Sequence, residues 1–274
     1  MTLKLAIAGA CGRMGRALLE AAYGDPRFAI SGGTQRLGSN ELGMDLGVLC
    51  GQAPLGRCTS SEVAEAADQA DIWLDFTTPS AFIAAVPALR ASSIRTIILG
   101  TTGFDGTQER EIEEVATRFS VVRSGNFSFG VTVLVGLVQQ AAARLGTDFD
   151  IEILETHHRH KLDAPSGTAL MLGQAAATGR GVDHGKVATG HSTSLGALRP
   201  PNAPRQTGDI GYASRRAGGI MGEHEVMFAS DTETIRLSHT AINRSLFAKG
   251  ALVAAFWAKD QPPGLYSMSD VLNL

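Results

Sequence analysis

Cysteine is scarce in this 274-residue chain, and an excess of positive charge is missing altogether. The three cysteines, Cys11, Cys50 and Cys58, are odd in number and form no C-x-x-C pair. That argues against a disulfide framework and suits the reduced thiols of a cytosol. Lys and Arg number 24 against 27 Asp and Glu, a net charge of −3, which argues against a non-specific binder of nucleic acid or membrane surfaces and leaves any anion site to be built locally. Long hydrophobic runs are also lacking. The opening MTLKLAIAG is apolar, but Gly9 ends it too early for a signal peptide or a membrane span, so it reads as a strand. There is no internal repeat and no low-complexity tract. What is present is ordinary globular composition, 44% hydrophobic and 19% charged, with 32 glycines that imply many tight turns. The length suits two domains or one large one.

The first half alternates between strand and helix patterns. Leu3 to Ala8 reads as a buried strand, and Met14, Ala17, Leu18 and Ala21 recur at helical spacing. Strand patterns at 70–76, 95–99 and 120–123 alternate with helix patterns at 80–91 and 108–119, the first of these helices carrying Pro87. Such alternation predicts a parallel, doubly wound sheet. Beyond Asn126 the grammar changes. A long apolar helix is expected at 131–145, a strand at 150–156, a helix at 167–177 and antiparallel strands across 208–239, which together make an α+β unit. Residues 179–205, rich in Gly, Pro, Ser and Thr, read as a long loop, and 245–259 as a closing helix.

Two places carry chemistry. The first turn holds Gly9, Ala10, Cys11, Gly12, Arg13, Met14 and Gly15 between strand and helix. Glycines in that context let the backbone approach a pyrophosphate at the helix N-terminus, although such a turn can also merely join two elements. About 20 residues on, where an acid would bind the adenosine ribose, stand Gln35 and Arg36. Arg36 is either a solvated charge or a partner for a 2′-phosphate, and in the second case NADPH serves at least as well as NADH. Gly100-Thr101-Thr102 and Ser124-Gly125-Asn126-Phe127 follow the strands at 95–99 and 120–123, the ends where open α/β sheets bind ligands.

The second place runs from Glu155 to Ala169, ETHHRHKLDAPSGTA. His157, His158, Arg159, His160 and Lys161 offer proton donors and a positive field suited to a small di-acid. Ser166 would cap a helix whose first N–H groups, on Gly167 and Thr168, can receive a carboxylate. Lysine is protonated at neutral pH and can hand a proton to a carbanion-like carbon. A metal site is not expected, since adjacent His157 and His158 point to opposite sides of a strand and no cysteine or D-x-D partner accompanies them. A serine hydrolase is not expected either, for want of a G-x-S-x-G elbow.

Beyond these residues, AIAGACGRMGR, DFT, GTTGF, NFS, E-x-HHRHK-x-DAPSGTA, RAGGIMGEHEVMF and GLYSMSDVL give the chain a close resemblance, over nearly its whole length, to the dihydrodipicolinate reductases. The resemblance implies a Rossmann-like domain from 1–130 and 241–274, and an α+β domain at 131–240 that binds substrate and builds a homotetramer in the cytoplasm. It implies reduction of 4-hydroxy-tetrahydrodipicolinate by NADPH or NADH, in lysine and diaminopimelate biosynthesis. Gly9 to Met14, Gln35, Arg36, Gly100 to Thr102 and Ser124 to Phe127 would contact the dinucleotide. His157 would be the proton donor or acceptor and Lys161 the proton donor, while His158, Gly167 and Thr168 would hold the substrate carboxylates. Domain closure would hinge near 126–130 and 239–243. Gln35 stands where the family commonly has glutamate. The alternatives are another two-domain NAD(P)H oxidoreductase, or a nucleotide sensor without turnover. An aspartate-semialdehyde type would want a nucleophilic cysteine in the second domain, and all three cysteines lie in the first.

Overall fold

The computed structural model of the chain describes residues 2–190 and 205–274. It divides into two compact units, Met1–Phe127 with Ser245–Asn273, and Ser128–Arg244.

In the first unit the order is β1 (Leu3–Ile7), α1 (Arg13–Tyr23), β2 (Phe28–Thr34), α2 (Leu46–Leu49), β3 (Thr59–Ser60), α3 (Val63–Ala66), β4 (Ile72–Asp75), α4 (Pro79–Ala91), β5 (Thr96–Leu99), α5 (Gly106–Ala116) and β6 (Ser120–Arg123). The second unit holds α6 (Phe129–Leu145), β7 (Asp150–His157), α7 (Gly167–Arg180), α8 (His184–Val187), β8 (Ala188–Gly190), β9 (Ile210–Arg216), β10 (Glu223–Ala229) and β11 (Thr234–Thr240). The chain then returns to the first unit with α9 (Ser245–Ala258), β12 (Gly264–Tyr266) and α10 (Met268–Leu272).

The first sheet is parallel throughout, in the order β3-β2-β1-β4-β5-β6-β12. The order reverses at β1, which lies between β2 and β4, so the crevice beyond the C-terminal ends of β1 and β4 is the place where such sheets take a ligand. Strands β4 and β5 (IWLD and TIIL) are buried at every position because helices cover both faces. Trp73, Phe82 and Phe119 fill the core on one side. Helix α4 starts on the Thr78 cap and Pro79 and runs on through Pro87 to Ala91. β2 was not legible as a strand, because FAISGGT places two glycines in it. Gly32 is there for space: a Cβ would lie 2.0 Å from Ala66 O of α3.

The second sheet is mixed, in the order β11-β10-β7-β9-β8. The expectation of antiparallel strands across 208–239 is corrected here. β10 pairs antiparallel with β7 and β11, but β9 pairs parallel with β7 and with β8. The expected loop at 179–205 is corrected in part, since it contains the end of α7, α8 and β8. The remainder of that expectation, 191–204, lies outside the described residues. One face of the sheet, carrying Ile151, Ile153, Val226 and Phe228, packs with Leu134 and Val138 of α6 and Leu172 of α7.

Candidate active site

The glycine turn leaves β1 with Gly9 at φ +62 and reaches α1 through Gly12, an N-cap with no side-chain bond. Two glycines are required by space. A Cβ at Gly15 would lie 2.3 Å from Gly9 O and 2.7 Å from the Ala10 backbone, and one at Gly9 would lie 2.9 Å from Thr77 Cγ2 beyond β4. The turn is tied down from behind, with Ala10 N–H donating to Thr34 O at 2.9 Å and Gly9 N–H to Thr34 Oγ1 at 3.2 Å. Arg16 bonds Cys11 O at 3.1 Å, and also Leu49 O and the Glu41 carboxylate. Ala10 and Cys11 are buried, and burial pushes the Cys11 thiol up to about 11, which makes it inert. Gly12 and Arg13 are exposed and Met14 half-buried. The Gly12 N–H turns back to Gly9 O at 2.9 Å, and with no acidic residue in the first turn of α1 the N–H groups of Arg13 and Met14, ahead of the first intrahelical bond, suit a phosphate.

Gln35 and Arg36 follow β2. The Gln35 amide folds back, donating to Ser39 Oγ at 3.1 Å and accepting from Arg36 N–H at 3.0 Å. The Arg36 guanidinium is exposed and has no partner among the described residues. At the ends of β4 and β5, Asp75 is buried and takes hydrogen bonds from Thr77, Thr101 and Trp73. Burial raises its pKa despite those bonds. This knot sets the turn in which Thr102 is exposed and Thr101 buried. Gly100 is needed because a Cβ would strike the Phe76 ring at 2.1 Å. After β6, Ser124 Oγ donates to Asn126 O at 2.6 Å and Gly125 is exposed. Phe127 is buried against Phe76, ring centroids 5.2 Å apart, so its side chain is packing rather than surface.

In the second unit the basic cluster begins at the end of β7. His157 Nδ1 lies 2.6 Å from Glu155 Oε2, and Glu155 is fully buried. Arg216 of β9 meets the same carboxylate with two bonds, at 2.8 and 2.7 Å. Burial pushes the Glu155 pKa up, but the hydrogen bonds from His157, Arg216 and Ser214 outweigh it and hold the group at about 2. Lys161 Nζ donates to both Asp163 oxygens, at 2.7 and 2.6 Å. Burial lowers the pKa of His158, and the charges of Arg244 and Lys161, with His157 and His160 beside it, act in the same direction. Ser166 caps α7 by accepting from Ala169 N–H at 3.1 Å, and its Oγ is 2.9 Å from Nε2 of the buried His224. Gly167 and Thr168 precede the first intrahelical bond, Leu170 N–H to Ser166 O. No group of three or more His, Cys, Asp or Glu among the described residues could hold a metal.

Glu155, Asp163, Arg216 and His224 received no role in the sequence reading. A usable signal existed for two of them. Glu155 continues the inward alternation Ile151, Ile153, and His224 begins that of Val226 and Phe228, so each is a polar residue on a core-facing position.

The family model described as dihydrodipicolinate reductase, N-terminus, matches residues 3–127, and its C-terminus counterpart matches residues 130–272. The 4-hydroxy-tetrahydrodipicolinate reductase of Caulobacter vibrioides is 45% identical over 272 residues, covering 99% of this chain and 97% of the relative. That of Rhodopseudomonas palustris (strain HaA2) is 47% identical over 273 residues, covering 99% and 98%. A solved dipicolinate-bound dihydrodipicolinate reductase from Paenisporosarcina sp. TG-14 shares the fold, with a TM-score of 0.75 at 23% identity, covering 97% of this chain and 98% of that one.

Proposed function

The chain belongs to the dihydrodipicolinate reductase family, and on that footing we propose that it reduces 4-hydroxy-tetrahydrodipicolinate to tetrahydrodipicolinate with NADPH or NADH, a step of lysine and diaminopimelate biosynthesis. The observation that carries this reading is the joint presence, in a chain matched over its length, of an uncapped glycine turn at the switch point and a His157–Lys161 loop that runs into the N-terminus of α7.

The glycine turn fits a dinucleotide, since it presents the exposed Gly12 and Arg13 at the N-terminus of α1, whose first turn carries no acidic residue. The reduced nicotinamide, when bound, supplies a hydride. The N–H groups of Arg13 and Met14, ahead of the first intrahelical bond of α1, hold the pyrophosphate and Arg36 meets a ribose 2′-phosphate. Gly100 to Thr102 and Ser124 to Asn126 line the nicotinamide end, the exposed Thr102 and Gly125 foremost. In the second unit His158, Gly167 and Thr168 hold the carboxylates of the substrate. The C4 hydroxyl would leave as water together with a proton from the neighbouring ring carbon, and the double bond so formed would take the hydride at C4. Lys161 donates the proton that the neighbouring carbon requires, and His157 gives or takes a proton at Nε2, its Nδ1 being held by Glu155. The family resemblance supports a cytoplasmic homotetramer, which sedimentation analysis tests.

The test of the reaction mixes the purified protein with NADPH or NADH and the condensation product of pyruvate and aspartate semialdehyde, and follows the reduced-nicotinamide absorbance. Substrate-dependent oxidation is expected, and His157→Ala and Lys161→Ala should each lower kcat on the order of 10²-fold. No oxidation by folded protein would point to the nucleotide sensor instead.

A further inference from the structure

We propose that Glu155 and Arg216 are positioning residues for this reaction, a buried pair that orients His157 through its Nδ1 and pins the loop carrying Lys161. The inference rests on the catalytic reading of His157 and Lys161 given above. A carboxylate on the core-facing side of a sheet is costly unless its charge is matched and its oxygens are bonded. Glu155 is met on one oxygen by Arg216 and on the other by Arg216 and His157 together.

Arg216 gives away every donor it has. Nη1 bonds Glu155 Oε2 at 2.8 Å and Arg215 O at 2.7 Å. Nη2 bonds Glu155 Oε1 and Asp163 O, each at 2.7 Å, and Nε bonds Lys161 O at 3.2 Å. The two loop carbonyls are those of Lys161 and of Asp163, the residue whose carboxylate holds the Lys161 ammonium. One planar guanidinium thus fixes the histidine's partner and the lysine's loop together. An ammonium, a point charge with three donors, cannot reproduce that fork.

A structural ion pair alone would not require the arrangement at His157. With Nδ1–H donating to Glu155, the imidazole keeps Nε2 as the nitrogen that exchanges a proton. Position 222 beside that nitrogen is glycine, and a Cβ there would lie 3.0 Å from Nε2. The sheet therefore orients one ring nitrogen and keeps side-chain bulk away from the other.

A double-mutant cycle tests this. Glu155→Gln should lower kcat about tenfold or more, with the substrate KM and the NADPH affinity within about twofold of wild type. In a His157→Gln background the same substitution should cost less than about twofold further, because the residue acts through His157. Arg216→Lys should lower kcat at least as much and leave NADPH binding intact. Full additivity of Glu155→Gln with His157→Gln, or an effect confined to KM, would overturn the positioning role while leaving His157 catalytic. Wild-type turnover in His157→Gln would instead overturn the catalytic reading and the inference with it. If the Glu155 variant fails to fold, ¹⁵N-histidine spectra of the wild-type protein at about pH 9, where a histidine is neutral, decide: the Nδ1–H tautomer at His157 is expected, and the Nε2–H tautomer overturns the proposal.

Discussion

Taking the protein from about pH 7.5 to 4.5 brings a proton toward His224, at a position with little to receive the charge. The ring is 5% exposed, its Nε2 lies 2.9 Å from Ser166 Oγ, and its buried Nδ1 has no hydrogen-bond partner among the described residues. In the sheet it lies between Glu155 of β7 and His239 of β11. Burial is the largest cause of its lowered pKa, His157, His239 and Lys161 add to it, and Glu155 opposes it, with the result at about 4 against an ordinary 6.5. A histidine whose folded pKa is depressed leaves stability intact above 6.5 and erodes it as the pH falls toward 4, since the unfolded chain binds the proton first. At about 1.4 kcal/mol per pH unit, acidification to pH 4.5 removes about 2.5 kcal/mol through this one group. Glu155 does not contribute in that window, because a carboxylate held at about 2 loses its stabilisation only as the pH falls below the usual glutamate range. The assay is urea unfolding at both pH values and one fixed protein concentration, for the wild type and for His224→Gln, which cannot titrate. The wild type should lose about 2.5 kcal/mol more than the variant between the two conditions. Losses that agree to within about 0.5 kcal/mol would refute the argument.

Two further outcomes follow from the first unit. Gly15→Ala pushes a methyl group into the Gly9 and Ala10 backbone, and the turn must open to accept it. NADPH affinity measured by calorimetry should fall on the order of tenfold or more, and an unchanged affinity would mean that the turn does not hold the pyrophosphate. Arg36→Ala should raise the KM for NADPH about tenfold and leave that for NADH alone. A constant ratio of the two would remove Arg36 from the ribose site.

Much of the first sheet was legible because its central strands are short continuous apolar runs between helical repeats, as in ADIWLDF and RTIIL. β2 was hidden because the close approach of α3 demands glycine, which has little strand propensity of its own. In the second unit the run of alternating residues from 208 to 239 gave strands but not their direction. Whether β9 pairs with β10 or, parallel, with β7 depends on the connections and not on the alternation.

The amino-acid sequence by itself determined the elements that carry chemistry: a glycine turn between strand and helix, and a histidine-rich loop running into a capped helix. Those are local properties, set by spacing, turn residues and caps. Only the tertiary structure decided which charges are paired. Arg216 reaches Glu155 from 61 residues away, and His224 reaches Ser166 from 58. The first depends on strand register, which sets β9 beside β7, and the second on where the N-terminus of α7 comes to rest on β10. A buried charge takes its partner from whatever the fold places across the sheet, and spacing along the chain does not encode that neighbour.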